Sequence, residues 1–251
     1  MRRNLKLNRR VAPSSGWQAS NVLQKMNIAC VIFDLDGTLV DSEGLCNQAF
    51  LDLLPELNCS LEHMVTRYRG QKLAPILADI EQRLALKLPS GFEQNYRARV
   101  AELFDTELLP MPGVSEMLSS VGYPICAASS GPLEKINKAL SVSSLSHFFG
   151  DNVFSSYEVG SWKPDPGLFL HAAKAMGYPP ESCAVIEDSQ PGIQAAISAG
   201  MQSFLYSPEG SIISDHNAVV FKSMRELPHL LGCAQPDHAE QDTAGQSATV
   251  E

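Results

Sequence analysis

The chain has 251 residues, of which 44% are hydrophobic and 19% charged, and this composition is typical of one full soluble domain with room for a smaller insertion. No apolar stretch approaches the roughly 20 residues that a membrane-spanning helix needs, and the net charge of −9 argues against general nucleic-acid binding, which requires a basic surface. The six cysteines form no CxxC pair, which is typical of reduced thiols in a cytoplasmic protein.

The two ends of the chain differ in composition from the rest. Residues 1–26 carry six basic residues and no acidic residue, a pattern that fits an organelle transit peptide, a disordered basic tail or a start codon placed upstream of the true one. Residues 233–251 are polar and offer little to bury, so we expect a disordered tail. We expect a cytoplasmic protein, with organelle targeting by residues 1–26 as the open alternative.

Short apolar runs along the chain predict buried strands. The first run, at residues 27–35, is continuous and rich in β-branched side chains, which favours a strand covered on both faces of a parallel sheet. Similar runs follow at residues 123–128, 183–186, 202–206 and, more weakly, 218–221. Helical patterns lie between them at residues 113–121, 133–140, 166–176 and 191–199. This alternation predicts an α/β fold with a doubly wound, Rossmann-like parallel sheet.

Residues 44–109 interrupt the alternation. They contain no comparable apolar run, and their patterns predict helices at residues 47–54, 61–67, 75–86 and 92–104. A stretch of this length is too long for a simple loop in a compact domain. The sequence therefore predicts an α-helical cap domain at residues 44–109, inserted into a core made of residues 27–43 and 110–232.

The motif Asp34-Leu35-Asp36-Gly37-Thr38 follows the first predicted strand. Ligands of an open parallel sheet bind at the carboxyl ends of its strands, and residues two apart in a strand share a face. Asp34 and Asp36 are therefore expected to point into one site, where they repel each other unless a cation lies between them. Oxygen-only ligands suit Mg²⁺. An ordinary acidic turn is the alternative explanation of this motif.

Three further motifs follow at predicted strand ends. Ser129 and Ser130 offer hydroxyls and free N–H groups before a helix, which suits an anion, although a simple helix cap explains them as well. Two prolines follow Lys163 and stiffen its loop, so that its ammonium could neutralise a nucleophile and a phosphate; a solvated surface lysine is the alternative. Glu187 and Asp188 end a buried strand, where two acids are costly unless they are paired or bound to a metal.

The order and spacing of these four motifs resemble those of the haloacid dehalogenase-like hydrolase superfamily across residues 28–230. The helical insertion is similar to the small cap of the β-phosphoglucomutase-like branch, and residues 155–201 look especially like bacterial 6-phosphogluconate phosphatases. The resemblance implies a Mg²⁺-dependent phosphatase that acts through an aspartyl phosphate. Its implied substrate is a small phosphorylated metabolite, such as a sugar phosphate or the sugar-acid phosphate 6-phosphogluconate.

The same resemblance implies a role for each motif. Asp34 is the expected nucleophile, and Asp36 is the expected general acid and base. Lys163 is expected to take part in catalysis and, with Ser129 and Ser130, to bind the phosphoryl oxygens, where negative charge must be offset. The implied metal ligands are the carboxylates of Asp34 and Asp188 and the main-chain carbonyl of Asp36, with Glu187 bound to the metal directly or through a water molecule.

In the predicted cap, residues 67–72 combine three cations with a glycine. We expect Arg69, Gly70 and Lys72 to contact the substrate beyond its phosphate. Cations at these positions would suit a substrate with additional negative charge, such as a sugar-acid phosphate. A solvated charged surface is the alternative explanation.

Two other functions compete with hydrolysis. Mutases of the β-phosphoglucomutase type carry a histidine in the segment after the first motif, where this chain has Cys46, and the difference favours hydrolysis over phosphotransfer to a second sugar. A non-catalytic binding module is the third possibility, and the presence of both Asp34 and Asp36 counts against it. The expected partner is a small phosphate ester, without nucleic acid or membrane; we expect a monomer, with an oligomer left open.

Overall fold

The computed structural model describes residues 27–210 and 218–233. The predictions made for residues 1–26 and for the polar tail beyond Cys233 therefore lie outside the described residues. Within the described ranges, no helix combines the length and the apolar character that crossing a membrane requires.

The strands of the described residues form one sheet, and they are β1 (Cys30–Phe33), β2 (Ile125–Ser129), β3 (Val153–Ser155), β4 (Cys183–Glu187), β5 (Gln202–Tyr206) and β6 (Ala218–Phe221). All neighbours pair in parallel, in the order β3-β2-β1-β4-β5-β6. The order reverses between β1 and β4, which is the place where open α/β sheets form a ligand-binding crevice. The predicted fold class is confirmed.

Four helices lie between β1 and the return of the chain to the core: α1 (Glu43–Leu53), α2 (Leu61–Tyr68), α3 (Leu73–Leu84) and α4 (Phe92–Glu107). Seven more follow in the described part of the core: α5 (Val114–Ser120), α6 (Leu133–Val142), α7 (Ser146–Phe149), α8 (Ser156–Val159), α9 (Gly167–Met176), α10 (Gln190–Ser198) and α11 (Leu227–Leu230). Short 3₁₀ turns cover Pro55–Leu57, Pro180–Ser182 and Met224–Glu226. The structure thus has helices at each predicted helical segment, while the domain boundaries at residues 44 and 109 stay a prediction.

The two faces of the sheet are packed by different parts of the chain. Val31 and Phe33 of β1 belong to one apolar cluster, which continues into the helical insertion through residues such as Phe50 of α1. Cys30 and Ile32 belong to a second cluster, against α9 and α10. Because alternate residues of a strand point to opposite faces, a strand covered on both sides must be apolar throughout. This is why β1 reads as a continuous apolar run.

Strand β3 is absent from the sequence-based expectation. Val153–Ser155 is only three residues long and lies at the edge of the sheet, where two of its residues are only partly buried. An edge strand of this length has no continuous apolar run, because part of its surface meets water. It nevertheless matters for the site, since it brings the buried Ser155 next to the loop that follows β2.

Candidate active site

The loop after β1 brings Asp34 and Asp36 to the carboxyl edge of the sheet, where both line one cavity of about 940 Å³. The loop turns sharply at Gly37, whose φ is +80°, and a Cβ at this position would collide with the carboxylate of Asp188. Thr38 Oγ1 donates to Asp188 Oδ1 over 3.1 Å. The glycine therefore allows the first motif to pack directly against the last one.

Lys163 bridges two carboxylates in the wall of this cavity. Its buried ammonium donates to Asp34 Oδ1 and, over 2.5 Å, to Glu187 Oε1. The other oxygen of Glu187 accepts from both the N–H and the hydroxyl of Ser189, each at 2.8 Å. Gly192 of α10 leaves the space that the Glu187 carboxylate occupies, because a Cβ there would overlap it. Lys163 and Glu187 are therefore held in place by contacts from several elements.

The expected position of Lys163 at a strand end is wrong. The residue lies in the loop between α8 and α9, because β3 ends at Ser155 and α8 follows before the chain turns back. The side chain still reaches the strand ends, since its length carries the ammonium to Asp34.

Asp34, Glu187 and Asp188 form an acidic cluster in which one oxygen from each lies within 4.8 Å of the others, and no other such group occurs within the described residues. Burial raises the pKa of Asp34, although Lys163 opposes the rise. Burial, followed by the charges of Glu187 and Asp34, raises the pKa of Asp188 well above its usual value. One lysine does not offset three carboxylates, and the ligand atoms are all oxygens, so the cluster fits a hard divalent cation such as Mg²⁺.

Asp36 sits apart from this cluster and has a different charge environment. Its Oδ1 accepts from Lys135 Nζ at 2.6 Å and from Ser42 Oγ at 2.5 Å, while Ser129 Oγ lies 3.4 Å from Oδ2. Burial alone would raise the pKa of Asp36, but the charge of Lys135 and the hydrogen bonds from Lys135 and Ser42 outweigh it and lower the pKa. Neither Lys135 nor Ser42 is predicted from the sequence. Lys135 could have been found as a cation in the first turn of a helix that begins at a strand end.

The loop after β2 is rigidly held beside the two aspartates. Ser129 is buried, and its hydroxyl accepts from the N–H of Gly131 at 3.0 Å. Ser155 Oγ donates to the carbonyl of Gly131 at 2.7 Å, which ties the loop to the end of β3. Ser130 lines the cavity as well. The structure thus brings both predicted serines to the site, and their role in binding phosphate stays a prediction.

The predicted substrate-contacting residues of the insertion are only partly brought to the cavity. Gly70 and Lys72 line it, and the ammonium of Lys72 lies 5.0 Å from the ring centroid of Trp162. Arg69 is not among the residues that line the cavity; its Nε donates to Glu43 at 2.8 Å, and its side chain is 47% exposed. The structure therefore separates three residues that are close together in the sequence.

The family model described as haloacid dehalogenase-like hydrolase matches residues 28–200. The chain is 38% identical to the 6-phosphogluconate phosphatase of Escherichia coli over 209 residues, which cover 81% of this chain and 94% of that protein. It is 32% identical to the fructose-1-phosphate phosphatase of the same organism, over 70% of this chain and 94% of the relative.

A solved structure supports the same family assignment. The haloacid dehalogenase family hydrolase of Deinococcus radiodurans, solved with bound phosphate and sodium, superposes with a TM-score of 0.68 at 28% identity, over 82% of this chain and 96% of that one. The residues that the family model matches, 28–200, include strands β1 to β4 and the helical insertion.

Proposed function

Since the chain belongs to the haloacid dehalogenase-like hydrolase family and is a phosphoric monoester hydrolase, we propose that it is a Mg²⁺-dependent phosphatase for a small sugar or sugar-acid phosphate. The observation that carries the proposal is the buried bridge of Lys163 between Asp34 and Glu187, directly beside Asp188. Buried charges of this density are costly unless they serve a ligand or a reaction.

Asp34 is the proposed nucleophile. One of its carboxylate oxygens bonds to phosphorus while the ester P–O bond breaks, and a water molecule later cleaves the aspartyl phosphate and releases inorganic phosphate. Lys163 contacts the same carboxylate, so it orients the attacking group and offsets the charge of the phosphoryl oxygens. Ser129 and Ser130 border the same space and are the proposed donors to those oxygens.

Mg²⁺, when bound by Asp34, Glu187, Asp188 and the carbonyl of Asp36, would offset the negative charge of the phosphoryl group. The proton transfers are assigned to a side chain of the protein. Asp36 is the proposed general acid for the leaving oxygen and the general base for water. It suits both steps because its carboxylate has its own hydrogen-bond partners, Lys135 and Ser42, and does not take part in the Lys163 bridge.

Hydrolysis is favoured over phosphotransfer to a second sugar by the residues around the cavity. Cys46 occupies the position where the mutase-like branch carries a histidine, and burial raises the pKa of its thiol to about 11. No histidine is found among the described residues that line the cavity. A neutral thiol is a poor proton carrier near neutral pH, so Cys46 does not replace the histidine of the mutases. Water is therefore the proposed acceptor of the phosphoryl group.

The leading substrate candidate is 6-phosphogluconate, supported by the identity to the Escherichia coli enzyme across most of both chains. Arg69, Gly70 and Lys72 remain the proposed contacts to the part of the substrate beyond its phosphate. Of these, Gly70 and Lys72 line the cavity and are the better placed.

The test is phosphate release from a panel of esters in the presence of Mg²⁺. The panel should contain 6-phosphogluconate, glucose 6-phosphate, fructose 1-phosphate, a hexitol phosphate and p-nitrophenyl phosphate. We expect 6-phosphogluconate to give the highest kcat/KM. When the aspartyl phosphate is trapped and the protein is digested, the phosphorylated peptide should contain Asp34. Release of phosphate from none of the sugar esters would contradict the proposal.

A further inference from the structure

Lys135 has no role in the sequence motifs or in the mechanism above, yet it makes the shortest cationic contact with Asp36. It lies in the first turn of α6, and its Nζ is 2.6 Å from Asp36 Oδ1. The two side chains are only 23% and 27% exposed, so the pair is largely shielded from bulk water. Shielding strengthens the contact relative to an ion pair on the surface.

The two carboxylate oxygens of Asp36 differ in their hydrogen bonds. Oδ1 accepts from both Lys135 and Ser42, at 2.6 and 2.5 Å. Oδ2 has only the hydroxyl of Ser129, at 3.4 Å, which is close to the limit for a hydrogen bond. Oδ1 is therefore engaged, and Oδ2 is the oxygen that remains available for a proton.

We infer that Lys135 is a positioning residue that holds Oδ1 of Asp36, so that Oδ2 faces first the leaving oxygen of the substrate and then the attacking water. The inference rests on the proposed function, because it concerns the same reaction. Ser42 alone cannot hold the carboxylate in this way, since a single hydroxyl contact leaves it free to rotate about its bond to Cβ. The second donor, from a different element, removes that freedom.

The helical insertion also contacts the side chain of Lys135. The ammonium lies 5.8 Å from the ring centroid of Phe104 in α4, and that ring is 1% exposed. An aromatic face stabilises a cation electrostatically while it keeps water away. The stem of Lys135 passes beside Gly131, where even an added Cβ would lie 3.4 Å from its Cδ. Lys135 is thus fixed from the loop after β2 and from the insertion at once.

With Oδ1 held, one oxygen serves both half-reactions. In the first, Asp34 bonds to phosphorus and the ester P–O bond breaks. Asp36, which takes up a proton as the negatively charged substrate binds beside it, passes that proton from Oδ2 to the leaving oxygen, which becomes a hydroxyl. In the second, the water oxygen bonds to phosphorus, the bond to Asp34 breaks, and a proton of the water returns to Oδ2. The carboxyl group ends in its starting state, and no further reactant is needed.

The test compares Lys135→Met with the wild type by rapid mixing with two substrates. The sugar alkoxide of 6-phosphogluconate needs a proton to leave, whereas p-nitrophenolate departs without one. Losing a charge-assisted hydrogen bond is expected to slow the first turnover of 6-phosphogluconate about ten- to a hundredfold. The first turnover of p-nitrophenyl phosphate should be spared, but the following hydrolysis should be slow, giving a burst of one nitrophenolate per site.

Two further variants keep the test decisive. Lys174→Met is the control, because Lys174 is an exposed lysine in the last turn of α9 and is not among the residues that line the cavity; we expect neither substrate to be affected. Lys135→Arg retains the charge and the donor, so it should recover much of the rate with 6-phosphogluconate, and it carries the test if the methionine variant does not fold.

Several outcomes would overturn the inference. They are an equal slowing of both first turnovers in Lys135→Met, no slowing of either, or the same burst pattern in Lys174→Met. A wild-type enzyme that never phosphorylates Asp34 would contradict the proposed function itself. A wild type that does so, with an unaffected Lys135→Met, would contradict only the role of Lys135.

Discussion

The buried charged residues of the core, Asp34, Lys163, Glu187 and Asp188, and the segment at residues 67–72 of the insertion both place charge near one cavity, but their charges differ in exposure to solvent. In the core, the side chains of Lys163 and Glu187 are 6% and 1% exposed and contact each other directly. In the insertion, Arg67 and Arg69 are 42% and 47% exposed, and they pair with acids on neighbouring helices. Ion pairs between basic and acidic side chains are thus buried in the core and largely solvated in the insertion.

This difference decides how much a charge pattern reveals about function. A buried ion cluster costs several kcal/mol of desolvation, so it is retained only where partners or a ligand compensate. An exposed pair contributes about 0–1 kcal/mol and can occur on any helical surface. The core motifs therefore constrain the chemistry closely, whereas the cations of residues 67–72 constrain the substrate only weakly.

The largest expected effect comes from the core. Asp34→Asn should abolish turnover without unfolding the protein, because it removes the attacking oxygen and a metal ligand while keeping the shape of the side chain. Phosphate release and a thermal melt measure the two properties. Asp151→Asn, at an exposed position away from the cavity, is the control and should keep full activity. A folded Asp34→Asn protein that retains substantial activity would remove Asp34 from the role of nucleophile.

Removal of the metal should be nearly as damaging. Treatment with EDTA should eliminate phosphate release and added Mg²⁺ should restore it, because Asp34, Glu187 and Asp188 otherwise repel each other beside the incoming phosphate. Ca²⁺ should inhibit, since its looser and larger coordination shell misplaces the attacking carboxylate. Full activity of metal-free protein would rule out the proposed mechanism.

In the insertion, the expected effect is smaller and selective. If Lys72 binds the carboxylate of 6-phosphogluconate, Lys72→Ala should reduce the preference for this substrate over glucose 6-phosphate by about ten- to a hundredfold, the value of one charge-assisted hydrogen bond. p-Nitrophenyl phosphate should be cleaved as before. Lys87→Ala is the matched control, because Lys87 is an exposed lysine of the insertion that pairs with Glu81.

An equal loss with all substrates would give Lys72 a different role. Its ammonium lies over Trp162, the residue that precedes Lys163, so the contact could hold the insertion against the loop that carries Lys163. Unchanged activity with every substrate would indicate that residues 67–72 form only a solvated surface.

The smallest expected effect concerns stability. Gly192→Ala should destabilise the protein by about 1–3 kcal/mol, because the added methyl group overlaps the buried carboxylate of Glu187. Gly44→Ala is the control: it also lies in the first turn of a helix, but its methyl group would meet nothing within 4 Å. It should be neutral or slightly stabilising. Thermal melts measure both, and equal melting temperatures would show that Glu187 can move aside.

Much of the fold was predictable from the sequence, because the central strands β1, β2, β4 and β5 are almost fully buried and the longer helices each bury part of their surface. Strand β3 was not, since an edge strand of three residues carries too little apolar surface to be recognised. The site was predictable where a motif sits next to a strand, as with Asp34, Asp36 and Asp188. Lys135 was not predicted, because its one local signal, a cation in the first turn of a helix that follows a strand, is also common among solvated surface lysines.

The sequence by itself therefore determined the parallel α/β architecture, the helical insertion and the acidic residues at the strand ends, all of which follow from local periodicity and from carboxylates placed after buried strands. Only the tertiary structure decided which charges meet. Lys163 reaches Asp34 across 129 positions of sequence, and Lys135 reaches Asp36 across 99. Arg69, although it lies in the segment expected to face the substrate, turns to Glu43 instead. Contacts over such separations depend on how the elements pack, and the packing is set by apolar surfaces that carry no charge.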